Sequence, residues 1–185
     1  MLRFTKNIKS TLLQVRTLTS SVYNIQKLKD ENENIIKGGR DKFELLEKGF
    51  EGIKQIGIIG WGSQAPSQYQ NINDSLRSIN SNINVKIGLR ENSLSYNKAL
   101  QTKGVNECNI GEMYDVLNES DMNILLISDK AQCDNYEKIF SNLKPGSTLG
   151  LSHGFLLGYL KNEKKKFPKD INIVMMAPKG MGPSL

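Results

Sequence analysis

The chain has 185 residues, two cysteines and a formal net charge of +6. That length suits one domain with enough chain to bury a core, and Cys108 and Cys133 form neither a C-x-x-C pair nor a zinc spacing, so both thiols are expected free, packed and in a reducing compartment. Arg3, Lys6, Lys9 and Arg16 carry most of the charge surplus. The remainder is too near neutral for a nucleic-acid footprint, and no apolar run approaches the roughly 18 residues of a membrane span.

In chain order, Met1 to Tyr23 comes first. Its four basic residues stand among Ser, Thr and Leu, and the first acid of the chain is Asp30. This is the composition of an organellar transit peptide. Leu2, Phe4, Ile8, Leu12, Leu13 and Val15 do not form the continuous apolar core of a secretory signal. A disordered basic tail is the alternative. The scattered arginines favour a mitochondrion over a plastid. Positions 24–52 read as a polar arm, marked by Asp30-Glu31-Asn32-Glu33, and 53–185 as the domain proper.

The stretch QIGIIGWGSQAPSQ, Gln55 to Gln68, sets the fold. A β-branched run breaks into the glycine turn Gly60-Trp61-Gly62, followed by Ser63-Gln64 and a helix. This is the first βα unit of a dinucleotide-binding fold. Gly60 permits the turn, Gly62 admits a pyrophosphate close to the backbone, and Ala65 fills the third small position of G-x-G-x-x-[GA]. The anion would sit on the helix N-terminus. Ile72, Leu76 and Ile79 then predict a helix over Gln68 to Ile79. Further on, Asn84 to Arg90 reads as a strand, Tyr96 to Lys103 as a helix and Met113 to Leu117 as a helical turn. Met122 to Ser128 reads as a buried strand, Tyr136 to Leu143 as a helix closed by Pro145-Gly146, and Thr148 to Ser152 and Ile171 to Ala177 as strands. Strands alternating with helices predict an α/β, doubly wound, Rossmann-like parallel sheet in a single domain with an N-terminal extension. Its ligands bind beyond the carboxyl ends of the strands.

The residues after each strand are therefore the candidates. Arg90 ends the second strand, with Glu91, Ser93 and Ser95 beside it. A basic residue with hydroxyls suits the 2'-phosphate of NADPH, whereas an acid would suit NAD. Successive strand residues face opposite ways, so Arg90 and Glu91 cannot both aim at the ribose. After the third strand come Asp129, Lys130 and Ala131. After the fourth comes His153, the one histidine, which is either structural or catalytic. After the fifth, Pro178-Lys179-Gly180-Met181-Gly182 brings a lysine that would polarise a carbonyl or lie in solvent. Lys164-Lys165-Lys166 reads as a solvated turn. Asp115 and Glu119 share a helical face, before the third strand and far from the rim, and read as surface rather than a metal site.

Several long segments closely resemble ketol-acid reductoisomerase of the plant-like class. They are GGRDKFELL, IKQIGIIGWGSQAPSQYQN, VKIGLRENSLS, LLISDKAQCDNYEKIFSNLKPGSTLGLSHGFLLG and APKGMGPS, in register from about Gly38 to the last residue. The resemblance implies the NADPH-binding amino-terminal domain of an enzyme of branched-chain amino acid biosynthesis. That enzyme converts acetolactate-type 2-hydroxy-3-keto acids to dihydroxy acids by alkyl migration and hydride transfer, with magnesium. By position it implies Gly60, Trp61, Gly62, Ser63 and Gln64 around the cofactor's turn, Arg90, Ser93 and Ser95 on the 2'-phosphate, and Asp129, Lys130, Ala131 and Gly182 flanking the cofactor. It implies His153 as an active-site histidine and Lys179 as a lysine close to substrate. Leu94 departs from a position often polar in the family.

The family continues beyond GMGPS into a helical, knotted domain that binds magnesium and closes the substrate pocket. The sequence is accordingly expected to represent that enzyme as a fragment, or as a chain completed by a separate helical partner, with a homo-oligomer as the other partner expectation. A non-catalytic NADPH-binding module and a dehydrogenase of another Rossmann family are the competing readings.

Overall fold

The structure is a computed structural model that describes residues 24–28, 31–35 and 38–177. The segment Met1 to Tyr23, Lys179 and Gly182, all singled out above, lie outside the described residues. The chain divides into two compact units, Met1–Glu44 and Leu45–Leu185. In the first, β1 (Asn24–Leu28) and β2 (Glu31–Ile35) pair antiparallel, Asn24 opposite Ile35 and Leu28 opposite Glu31. The polar arm thus contains an antiparallel pair of strands. Its ladder is a backbone property, which polar composition does not disclose.

A short helix, α1 (Glu44–Gly49), leads into the second unit. There follow β3 (Gln55–Ile59), α2 (Ala65–Ser78), β4 (Asn84–Leu89), α3 (Leu94–Leu100), β5 (Ile110–Glu112) and α4 (Met113–Glu119). The second half comprises β6 (Met122–Leu125), α5 (Asp129–Ser141), β7 (Thr148–Leu151), α6 (Phe155–Asn162) and β8 (Asn172–Met175). The six strands form one sheet in the order β5-β4-β3-β6-β7-β8, every neighbour parallel. The chain runs outward from β3 to β5 and then crosses back to place β6 on the other side of β3. That reversal makes the carboxyl ends of β3 and β6 the topological switch point, where such sheets bind ligands.

Strand alternation splits the core into two layers. Ile56 and Ile58 of β3, with Val85, Ile87 and Leu89 of β4, meet Ala65, Tyr69 and Leu76 of α2. Ile72 joins them, so residues 65, 69, 72 and 76 make the one apolar stripe of that helix. On the opposite face Ile59, Leu125, Leu149 and Leu151 meet Val116 and Leu117 of α4, Ile139 of α5, and Leu156 and Leu160 of α6. Gly57 lets α4 close on this face, because a Cβ there would collide with Asn123 Oδ1 and stand 2.9 Å from Ser120 Oγ.

Several features of the second unit depart from the sequence reading. Strand β5 was not anticipated. It is three residues long, too short for a period-2 signal, and follows a single 3-10 turn at Glu107–Asn109. Helix α5 starts seven residues earlier than Tyr136, because the Ser128 hydroxyl accepts the Ala131 N–H and caps it. The segment Phe155–Asn162, left unassigned above, is α6. Cys108 is exposed rather than packed, while Cys133 is partly buried, and both are free thiols. Lys164, Lys165 and Lys166 are exposed, as are Asp115 and Glu119. Among the described residues no helix is long and apolar enough to cross a membrane.

Candidate cofactor-binding site

The glycine turn is held by the two neighbouring strands. Gly60 donates its N–H to the Gly88 carbonyl at 3.0 Å, and Leu126 donates to the Ile59 carbonyl at 2.8 Å. Gly60 adopts φ +99°, in the left-handed region that disfavours a side chain. A Cβ there would stand 2.8 Å from both the Leu126 carbonyl oxygen and Ile127 Cγ2. The turn therefore lies directly against the end of β6.

Beyond it opens a cleft of about 480 Å³, lined by Gly60, Trp61, Gly62, Arg90, Ser93, Ser95, Lys130 and Ala131 among others. Eight of the sequence-predicted residues thus converge on one cavity at the switch point. Arg90 is exposed at the end of β4 and has no carboxylate partner among the described residues. Glu91 does not line the cleft. Ser93 caps α3, accepting the Tyr96 N–H at 3.3 Å, and its hydroxyl hydrogen remains available to donate outward. Ser95 sits in the first turn of that helix.

Across the cleft, Lys130 pairs with Asp134 at 2.9 Å on α5. That hydrogen bond, and then the carboxylate's charge, hold Lys130 above the ordinary lysine range. Trp61 is buried and spends an edge on Tyr69, ring centroids 5.7 Å apart. Ser63 and Gln64 stand at the start of α2 and do not line the cavity. Pro66 occupies the first helical turn, where a missing N–H costs nothing.

His153 and Asp129 meet elsewhere on the rim. The imidazole Nε2 is 3.3 Å from Asp129 Oδ1, and Nδ1 accepts the Phe155 N–H at 3.3 Å. Neither residue lines the cleft itself, although Lys130 and Ala131, the next residues of α5, do. Sequence reasoning missed Met113, Ser128, Asp134 and Asn135 as lining residues. Starting α5 at Asp129 would have found the last two, since they lie one turn beyond Lys130 and Ala131 on the same helix face. Met113 follows the unanticipated β5 directly.

The residues present fit a phosphorylated dinucleotide. A left-handed glycine at the turn, small residues at Gly62 and Ala65, and a cation with two hydroxyls at the far end match a pyrophosphate and a terminal phosphate in turn. Magnesium finds no such fit. Among the described residues no group of three or more His, Cys, Asp or Glu side chains could hold a metal ion.

Comparison with known proteins agrees with this geometry. A family profile described as "Acetohydroxy acid isomeroreductase, NADPH-binding domain" matches residues 52–185. The chloroplastic ketol-acid reductoisomerase of Spinacia oleracea is 53% identical over 170 residues, covering 90% of this chain and 28% of that protein. The chloroplastic enzyme of Pisum sativum is 54% identical over 159 residues, covering 85% and 27%. The mitochondrial ketol-acid reductoisomerase of Neurospora crassa is 31% identical over 127 residues, covering 69% and 30%. The chain thus spans less than a third of the length of these relatives. By the extent of the profile match, this chain belongs to the acetohydroxy acid isomeroreductase family, over that family's NADPH-binding domain.

Proposed function

We propose that the cleft binds NADPH and that this domain serves ketol-acid reductoisomerase activity on an acetolactate-type 2-hydroxy-3-keto acid. The observation that carries the reading is the convergence of Arg90, Ser93 and Ser95 with the Gly60-Trp61-Gly62 turn on one cavity at the switch point. In this reading Arg90 and the two serines take the 2'-phosphate, and Gly60, Trp61, Gly62, Ser63 and Gln64 line the cofactor's turn. Asp129, Lys130, Ala131 and Gly182 flank the cofactor. His153 acts as the active-site histidine facing substrate, and Lys179 as a lysine close to substrate. NADPH supplies the hydride when bound. No role for magnesium is assigned to the described residues.

The domain boundaries carry over as part of the proposal, with 1–23 a transit peptide, 24–52 an arm and 53–185 the nucleotide-binding domain. The relatives include chloroplastic and mitochondrial enzymes, which supports an organellar address. The acid-free, arginine-bearing start of the chain favours the mitochondrion. Fractionation of cells carrying a tagged protein tests this, and signal confined to the cytosol would refute it.

Activity is tested on the endogenous protein with acetolactate, NADPH and magnesium. Turnover with NADPH consumption supports the proposal. Tight NADPH binding without any turnover would instead identify a cofactor-holding module.

A further inference from the structure

We propose that Asp129 is a positioning residue for His153, holding the imidazole as the Nε2–H tautomer with its plane fixed at the rim. The inference rests on the reading above that His153 faces substrate. It goes beyond that reading by giving Asp129 a task other than flanking the cofactor.

Two contacts on one ring carry it. The Phe155 N–H can only donate, so Nδ1, 3.3 Å away, must accept and therefore holds no proton in the neutral ring. The proton is left on Nε2, which is 3.3 Å from Asp129 Oδ1. A single exposed contact of this kind would be weak. Here the two engage opposite nitrogens, and together they define both the tautomer and the ring plane. Phe155 adds an edge-on ring, centroid 6.3 Å from the imidazole.

The carboxylate of Asp129 is available for this task. It stands at the first position of α5, but Ser128 already supplies the side-chain cap of that helix. The neighbouring cation, Lys130, is paired with Asp134 instead.

Because the chain has only one histidine, long-range proton–nitrogen NMR correlation on the ¹⁵N-labelled 185-residue protein reads this ring without ambiguity. In mildly alkaline solution the wild type should show a single tautomer, with Nδ1 unprotonated and Nε2 protonated. Asp129→Ala should move both nitrogen shifts toward the averaged values of free imidazole. Asp129→Asn, whose amide oxygen still accepts, should restore the wild-type pattern. Identical ring shifts in wild type and Asp129→Ala, with the Asn variant also unchanged, would overturn the proposal. The functional reading fails separately, if His153→Gln leaves acetolactate turnover by the full-length protein at the wild-type rate while the tautomer result stands.

Discussion

A Cβ added to Gly60 would stand 2.8 Å from the carbonyl oxygen of Leu126. One added to Gly62 would stand 3.5 Å from that same oxygen, an ordinary contact. The two glycines of one turn are therefore required for different reasons. Gly60 is demanded by the fold, Gly62 only by what the turn approaches.

Single substitutions separate the two demands. Gly60→Ala combines a disfavoured φ with backbone overlap and should cost about 2 kcal/mol or more of stability. Gly62→Ala should melt within a few degrees of wild type yet bind NADPH at least tenfold more weakly, because its methyl takes the space of the pyrophosphate. Thermal melts and cofactor titration on both variants check this. Wild-type affinity in Gly62→Ala would argue against close backbone approach.

Asp121 links the amino ends of the central strands. One oxygen accepts the Lys54 and Gln55 N–H groups at 2.8 and 3.2 Å, and the other accepts Lys144 Nζ at 2.5 Å. Burial pushes this carboxyl up, but the Lys144 bond and the two backbone donors outweigh it and hold the group below its ordinary value of 3.8. A depressed folded pKa contributes stability above the unfolded value, and that contribution is lost as pH falls through the folded one. Asp121→Asn should cost about 1–3 kcal/mol near neutrality. Its stability should also fall less steeply than the wild type's below about pH 4. Parallel denaturation curves for the two proteins from neutral to acid would contradict the assignment.

Ser93 and Ser95 share the rim but differ in structural duty. Ser93→Ala removes the cap of α3 and should lower stability by about 1 kcal/mol as well as weaken NADPH binding. Ser95→Ala removes no cap and should weaken NADPH binding with the melting temperature nearly unchanged. Equal melting losses in the two variants would show that the cap is not what distinguishes them.

The layout was legible wherever hydrophobic period and glycine placement agreed. Ile56 to Ile59 followed by Gly60 announced the first strand and its turn, and the central strands β3, β4, β6 and β7 fell where the apolar runs predicted. The start of α5 was hidden because Asp129 to Asn135 is polar apart from Ala131 and Cys133. That helix is initiated by the Ser128 cap, and it anchors Gln132, which is buried and donates to the Ile127 carbonyl at 3.0 Å. Strand β5 was hidden by its length, and with it the place of Met113 in the cleft. The pairing of Asp129 with His153 joins residues on two elements, α5 and the turn after β7. Only the parallel register of β6 beside β7 brings those elements together. No local pattern encodes such a contact.

In the proposed function the cleft takes NADPH through Arg90. Trp61, the chain's one tryptophan, lines that cleft, so its emission should be quenched by energy transfer to a bound reduced nicotinamide. Titration of the 185-residue protein with NADPH and with NADH, repeated on Arg90→Glu, is the most direct test. Quenching should saturate, with NADPH binding at least tenfold tighter than NADH and the preference abolished or reversed in the variant. Equal affinity for the two cofactors in the wild type, or an unchanged preference in Arg90→Glu, would contradict it.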